Sequence, residues 1–267
     1  MAAITGADRG EPGSIAVAGR RFEVAWWGRL PGEAPTLVLL HEGLGCVALW
    51  RGFPAALAAA TGLGVFAYSR FGYGQSDTVS LPRPLRYMHE EADLLPEVLD
   101  AAGIGDCMLV GHSDGASIAA IHAGSPGADP RIRRIALIAP HFFVEDVTVA
   151  SIAAIRAEYE QGDLRARLAR HHRDVDAAFH GWNGAWLDPG FRAWDITAYL
   201  RRIRLPILVV QGSDDPYGTE AQPRAAERLA AGPVSIVMVA HAGHAPHVEA
   251  AQSTCDAVAG FARSLHS

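Results

Sequence analysis

Short unbroken apolar runs recur along this chain, separated by longer stretches in which apolar residues return at helical spacing. Residues 36–40 read Thr-Leu-Val-Leu-Leu, and similar runs stand at 64–68, 107–110, 132–139, 206–211 and 234–240. A strand without polar alternation has both faces covered, as in a parallel sheet between two helical layers. Two earlier runs, 14–18 and 22–27, flank a Gly19-Arg20-Arg21 turn and predict a further pair of strands. Helices are expected over 48–60, 85–102, 115–123, 221–229 and 247–265. Alternation of this kind predicts an α/β fold, a mostly parallel sheet flanked by helices.

The rhythm changes after Pro140. Residues 144–199 carry helical runs at 148–160, 164–172 and 175–186 and no strand pattern, before Pro206 restarts the sheet. The expectation is one core built from 1–140 and 200–267, with a helical cap at 141–199. A chain of 267 residues, 49% hydrophobic, is long enough to bury one large core. Its formal charge of −6 and its pI of about 6.0 leave no basic footprint for nucleic acid or anionic lipid. Cys46, Cys107 and Cys255 lie far apart without metal-type spacing, and their odd number argues against a disulfide framework. A reduced cytoplasm fits. No run approaches the ~18–20 apolar residues of a membrane helix. Residues 1–15, with Asp8, Arg9 and Glu11, lack an apolar signal core.

Three segments carry candidate chemistry, each after its own strand. Gly111-His112-Ser113-Asp114-Gly115 fits G-x-S-x-G between an apolar run and an Ala-rich helix. Small residues on either side let strand and helix approach, so that the Ser113 hydroxyl projects above the sheet. The turn also aims backbone N–H groups and the positive helix end at a developing oxyanion. A serine nucleophile needs a base, and the base needs an orienting acid. Asp214 and Asp215, after the 206–211 run, are both candidates for the acid, and spacing does not separate them. Among the twelve histidines, His244 stands out in His241-Ala242-Gly243-His244, where Gly243 permits a tight loop after a strand.

Together with His41-Glu42-Gly43-Leu44-Gly45 and Gly72-Tyr73-Gly74-Gln75-Ser76-Asp77, these segments resemble the α/β-hydrolase superfamily over nearly the whole chain. The likeness is nearest to its small, cofactor-free esterase, lactonase and C–C hydrolase members with a helical cap. The resemblance implies an eight-stranded sheet with the cap inserted after the sixth strand. It implies Ser113 as nucleophile, His244 as base and, three positions after Gly212, Asp215 as acid. It also implies that the N–H groups of Gly43, Leu44 and Asp114 form the oxyanion hole. Two positions depart from the usual pattern: Glu42 stands where a glycine is common, and Ser69 where an aspartate is common. If Glu42 and Asp114 face the pocket they repel a substrate carboxylate; otherwise they bond neighbouring backbone or arginine.

Serine at the elbow disfavours dehalogenase and epoxide hydrolase chemistry. Leu44-Gly45, His112 and Ala245 replace residues usual in C–C hydrolases, which demotes that alternative. The expected activity is hydrolysis of an ester, lactone or thioester of a small apolar substrate, with no metal or other cofactor. A non-catalytic ligand-binding protein is a further alternative, against which the complete triad argues. Peroxide or oxygen chemistry has no specific support. Glu42, Phe142, Trp182 and Trp186 are candidates for the substrate pocket. Most of the cap aromatics, Phe143, Phe179, Phe191 and Trp194 included, are expected to glue cap to core. His171-His172 with Asp174 and Asp176 reads as a solvated helix end, since no known ligand spacing appears. The expected partner is a small molecule, with neither nucleic acid nor membrane; a homodimer is compatible with the chain.

Overall fold

A computed structural model describes residue 10 and residues 12–263. The polar stretch with Asp8, Arg9 and Glu11, and the last residues of the expected closing helix, lie outside the described residues. Eight strands form one sheet: β1 (Pro12–Val17), β2 (Arg20–Trp27), β3 (Thr36–Leu40), β4 (Gly64–Tyr68), β5 (Cys107–His112), β6 (Ile132–Ile138), β7 (Ile207–Gly212) and β8 (Val234–Val239). Their spatial order is β1-β2-β4-β3-β5-β6-β7-β8. The first two strands pair antiparallel, and β2 meets β4 antiparallel; every other pairing is parallel. Every residue of β3, β4, β5 and β7 is buried, which explains their unbroken apolar runs.

Helices α1 (Phe53–Thr61), α2 (Tyr87–Ala102) and α3 (Asp114–Ala123) lie between the early strands. Between β6 and β7 come α4 (Asp146–Gln161), α5 (Leu164–Leu168), α6 (Val175–Leu187) and α7 (Thr197–Leu200). The chain then adds α8 (Ala221–Leu229), α9 (Pro246–Glu249) and α10 (Ala251–Ala262). Two apolar clusters sandwich the sheet. One contains Leu40, Leu109, Leu137 and Val209 with α2 and α3; the other contains Leu39, Val110, Ile138 and Val210 with α1 and α10. Among the described residues, no helix is long and apolar enough to cross a membrane.

Three expected helices differ in extent, each for a local reason. The 48–60 helix becomes a 3-10 turn, Val47–Trp50, followed by α1. Arg51 adopts a left-handed φ of 53° between them, and Pro54, which has no N–H to donate, sits in the first turn of α1. The 164–172 helix stops at Leu168, because His172 is drawn inward: its Nδ1 accepts from Gly74 N–H (3.0 Å) and its Nε2 donates to Leu44 C=O (3.0 Å). The closing helix divides at Ala250. The Glu249 carboxylate turns back to accept from the N–H groups of Gly243 (2.7 Å) and Ala245 (3.0 Å), bracing the His244 loop.

Candidate active site

Adjacent parallel strands release their loops at one rim. Leu40, the last residue of β3, pairs with Gly111 of β5, so the 41–45 loop leaves the sheet beside Ser113. Asp215 follows β7 and His244 follows β8, the two strands pairing up to Gly212 and Val239. Crevices at the carboxyl ends of strands are where open α/β sheets place their ligand sites.

Ser113 sits at φ 52°, ψ −116°, between β5 and α3. Such a conformation is strained for a residue with a β-carbon, and the surroundings must enforce it. They do: Ser113 N–H donates to Ile138 C=O (2.9 Å). The motif's two glycines are required by contact. A β-carbon on Gly111 would lie 2.4 Å from Gly115 O, and one on Gly115 would lie 1.9 Å from Leu40 O.

The Ser113 hydroxyl donates to His244 Nε2 at 2.9 Å. His244 Nδ1–H in turn donates to Asp215, 2.8 Å to Oδ2 and 3.0 Å to Oδ1. The Asp215 side chain is 1% exposed and also accepts from Gln211 Nε2 (2.7 Å) and Tyr217 N–H (2.8 Å). Burial pushes this carboxyl up, but the His244 bond and charge, with the Tyr217 N–H, outweigh it and hold Asp215 below its ordinary value. Asp214, 62% exposed, accepts from Ser213 Oγ (2.8 Å) instead and makes no hydrogen bond to His244 among the described residues. The structure thus separates two residues that spacing left equivalent.

The amides of Gly43, Leu44 and Asp114 have no acceptor among the described residues. The loop is shaped through the Glu42 carbonyl, which accepts from His41 Nδ1–H (2.7 Å), Arg70 Nη2 (2.8 Å) and Gly45 N–H (3.1 Å). His41 Nε2 accepts from Arg70 N–H (3.0 Å). Both ring nitrogens are then used as a neutral imidazole uses them, and burial, with Arg70 beside it, holds the His41 pKa well below its ordinary value. Tight spacing continues at Gly45, where a β-carbon would lie 2.3 Å from Glu42 Oε2.

A cavity of about 120 Å³ opens over Ser113 and His244, walled by Glu42, Gly43, Leu44, Asp114, His141, Ile152, Trp182, Trp186 and Tyr217. Of the candidates for the substrate pocket, Glu42, Trp182 and Trp186 line this cavity. Phe142 does not. It is fully buried beside the cavity wall, its N–H donating to Gln222 Oε1 (2.7 Å), because the residue that turns into the cavity at this strand end is His141. Other aromatics between β6 and β7 pack on one another: Tyr159 on Phe179 at 3.6 Å, Phe191 on Trp194 at 5.3 Å.

Neither carboxylate in the cavity wall is free. Asp114 accepts from Tyr87 Oη (2.5 Å) and Trp186 Nε1 (3.2 Å), and burial pushes its carboxyl up against the pull of Arg70. Glu42 Oε2 lies 3.4 Å from His112 Nδ1. Burial alone would raise the Glu42 carboxyl, yet His112 holds it well below the usual carboxylate range. His112 Nε2–H donates to His244 C=O (2.8 Å), linking the Ser113 turn to the His244 loop. Ser69, the residue after β4, is fully buried and donates to Glu23 Oε2 of β2 (2.6 Å).

Asp174 caps α6 by accepting from Ala177 N–H (3.0 Å), and Asp176 pairs with Arg165 (2.6 Å). Among the described residues, no group of three or more His, Cys, Asp or Glu is placed to hold a metal ion. A larger cavity of about 380 Å³, walled by Trp50, Phe53, His247 and Cys255 among others, has no nucleophile-base pair. Burial raises the Cys255 thiol, which makes it a poor nucleophile.

The sequence reading overlooks His141, Ile152 and Tyr217. His141 and Tyr217 carry a positional signal, each lying within a few residues of a parallel strand's carboxyl end. Ile152 carries none, because its place depends on how α4 folds over the rim.

The model of the alpha/beta hydrolase family matches residues 37–257 of this chain. A non-heme chloroperoxidase from Streptomyces lividans is 27% identical over 200 residues, 63% of this chain and 71% of that protein. The enol-lactonase from Burkholderia xenovorans LB400 superposes with a TM-score of 0.69 at 21% identity, over 93% of this chain and 99% of that one. The esterase RhEst1 from Rhodococcus sp. ECU1013 does so with a TM-score of 0.72 at 20% identity, over 95% and 99%. At such identities the structural likeness shows a shared fold, and the chemistry has to be argued from the site.

Proposed function

The chain belongs to the alpha/beta hydrolase family, and from that premise we propose that it is a serine hydrolase cleaving an ester, lactone or thioester of a small, largely apolar substrate. The observation that carries this reading is the unbroken relay from hydroxyl to imidazole to buried carboxylate, at 2.9 and 2.8 Å.

In this mechanism His244 takes the Ser113 proton as Oγ attacks the scissile carbonyl. Asp215 fixes the tautomer that leaves Nε2 free to accept, and stabilises the imidazolium that forms. The carbonyl oxygen, now an oxyanion, is received by the N–H groups of Asp114 and of Gly43 or Leu44. Losing one such donor typically costs ~3–4 kcal/mol of transition-state stabilisation. The imidazolium then protonates the leaving alkoxide or thiolate; in a lactone this is the ring oxygen. Water, deprotonated by His244, releases the acid from the acyl-enzyme and returns the serine. Leu44, Ile152, Trp182 and Trp186 supply apolar walls, and the modest cavity favours a small acyl group.

Turnover of short p-nitrophenyl esters, simple lactones and acyl thioesters tests the reading. Hydrolysis of at least one class, with a burst of the first product, is expected. A C–C hydrolase would instead cleave a vinylogous β-diketone in preference to any ester. The name of the Streptomyces lividans relative favours a second use of the site, with hydrogen peroxide in place of water. Adding peroxide and halide to the same assays, and measuring halogenation of an activated carbon acid, separates the two.

A further inference from the structure

Among the described residues, the cavity also holds a buried imidazole that this mechanism does not employ. His141 follows β6 and Pro140 and walls the same cavity as Ser113 and His244. Its ring centroid lies 5.5 Å from that of His244 and 5.3 Å from that of Trp186. Ser117 Oγ donates to its backbone carbonyl at 2.6 Å and fixes where the side chain starts. The residue is 2% exposed. Nδ1 is sealed and unpartnered, and Nε2 has no partner among the described residues either.

The two nitrogens are not equivalent. The Cε1–Nδ1 edge of the ring lies toward Gly218, where an added β-carbon would stand 3.5 Å from Cε1 and 3.7 Å from Nδ1. Nε2 is not sealed, and the area His141 keeps open is on the cavity it walls. An orphaned buried N–H is rarer in proteins than an under-used acceptor. The proton of a neutral ring therefore belongs on Nε2, with the Nδ1 lone pair buried and unpaired. The ring is neutral: burial, with His244 beside it, pushes its pKa down to about 3. The result is a fixed N–H donor beside the nucleophile, in a cavity whose other walls are mostly apolar.

We propose that His141 Nε2–H is a specificity-determining donor to a second oxygen of the substrate, a hydroxyl or ketone a few atoms from the scissile carbonyl. The inference rests on the serine hydrolase reading and narrows its substrate class. The short His141–His244 separation confines that oxygen to the first few atoms beyond the carbonyl, since an N–H donor reaches an acceptor at about 2.9 Å. The Glu42 carboxylate in the same wall disfavours an anionic group, so the oxygen is a neutral one. A buried donor left unpaired by a substrate lacking the oxygen discriminates strongly against it.

The test compares kcat/KM for ethyl butanoate, ethyl 3-hydroxybutanoate and ethyl 3-oxobutanoate by pH-stat, with Ser113 reactivity read in parallel by a fluorophosphonate. The wild-type chain is expected to favour an oxygenated ester by about tenfold or more. His141→Phe is expected to abolish that ratio, and His141→Gln, which keeps an N–H near the Nε2 position, to retain most of it. Equal rates in the wild type, a ratio that survives in His141→Phe, or a loss shared equally by all three esters would overturn the proposal. A chain whose Ser113 reacts with the fluorophosphonate yet hydrolyses none of the esters refutes this substrate class. A chain whose Ser113 does not react refutes the underlying hydrolase reading as well.

Discussion

Asp214 and Asp215 are chemically identical neighbours in different surroundings. Asp215 receives three donors in a sealed position, whereas Asp214 lies in solvent. Removing the charge of Asp215 while keeping its shape frees His244 to take the wrong tautomer. Asp215→Asn is therefore expected to lower kcat by about 10³–10⁴. Asp214→Asn should stay within about twofold, both read by ester turnover. Comparable losses in the two variants would contradict the assignment. The choice between these residues was open to spacing and closed only by the resemblance, because exposure is a property of the folded loop. His141 carried only a positional signal, its place after a parallel strand, because the burial that leaves its Nδ1 without a partner exists only in the folded chain.

At the scale of elements, the elbow depends on how closely β5, α3 and β3 approach. Gly115→Ala would set a methyl 1.9 Å from Leu40 O, where only backbone could yield. It should lower unfolding free energy by about 2–4 kcal/mol in urea titration; a change within about 0.5 kcal/mol would show that the approach is not tight. A second junction ties α6 to the start of α3, through the Trp186 Nε1–H bond to Asp114. Trp186→Phe leaves half of a buried carboxylate unsatisfied and should cost about 1–3 kcal/mol in the same titration. An unchanged midpoint would mean that the contact carries no stability. The strands were legible because burial on both faces writes itself as apolar runs. The helix ends at Trp50, Leu168 and Ala250 were not, since each is set by a distant partner: the turn into α1, His172 reaching Gly74 and Leu44, and Glu249 bracing the His244 loop.

Across the whole molecule, buried imidazoles set how stability responds to acid. Burial pushes His141 and His247 down to about 3, with neighbouring histidines adding to the effect. Above pH 6.5 both are neutral, folded or unfolded. Below it the unfolded chain binds protons that the fold refuses, so stability falls from about pH 6.5 toward pH 3. The slope approaches about 1.4 kcal/mol per pH unit for each such group. Asp215, held below its ordinary value, adds a further loss only below about pH 4. Calorimetry should therefore give a Tm several degrees lower at pH 5 than at pH 7.5; an equal or higher value would contradict this. The order of strands and motifs points to the parallel rim on which all of this depends, whereas His141, Ile152 and Tyr217 in the cavity wall were not read from it, because the wall is assembled from segments distant along the chain. The most direct test of the account is intact-mass analysis after exposure to a fluorophosphonate. One adduct on Ser113, absent from Ser113→Ala and slowed strongly in His244→Gln, is the predicted result. No adduct on the native chain, or the same adduct on Ser113→Ala, would contradict it.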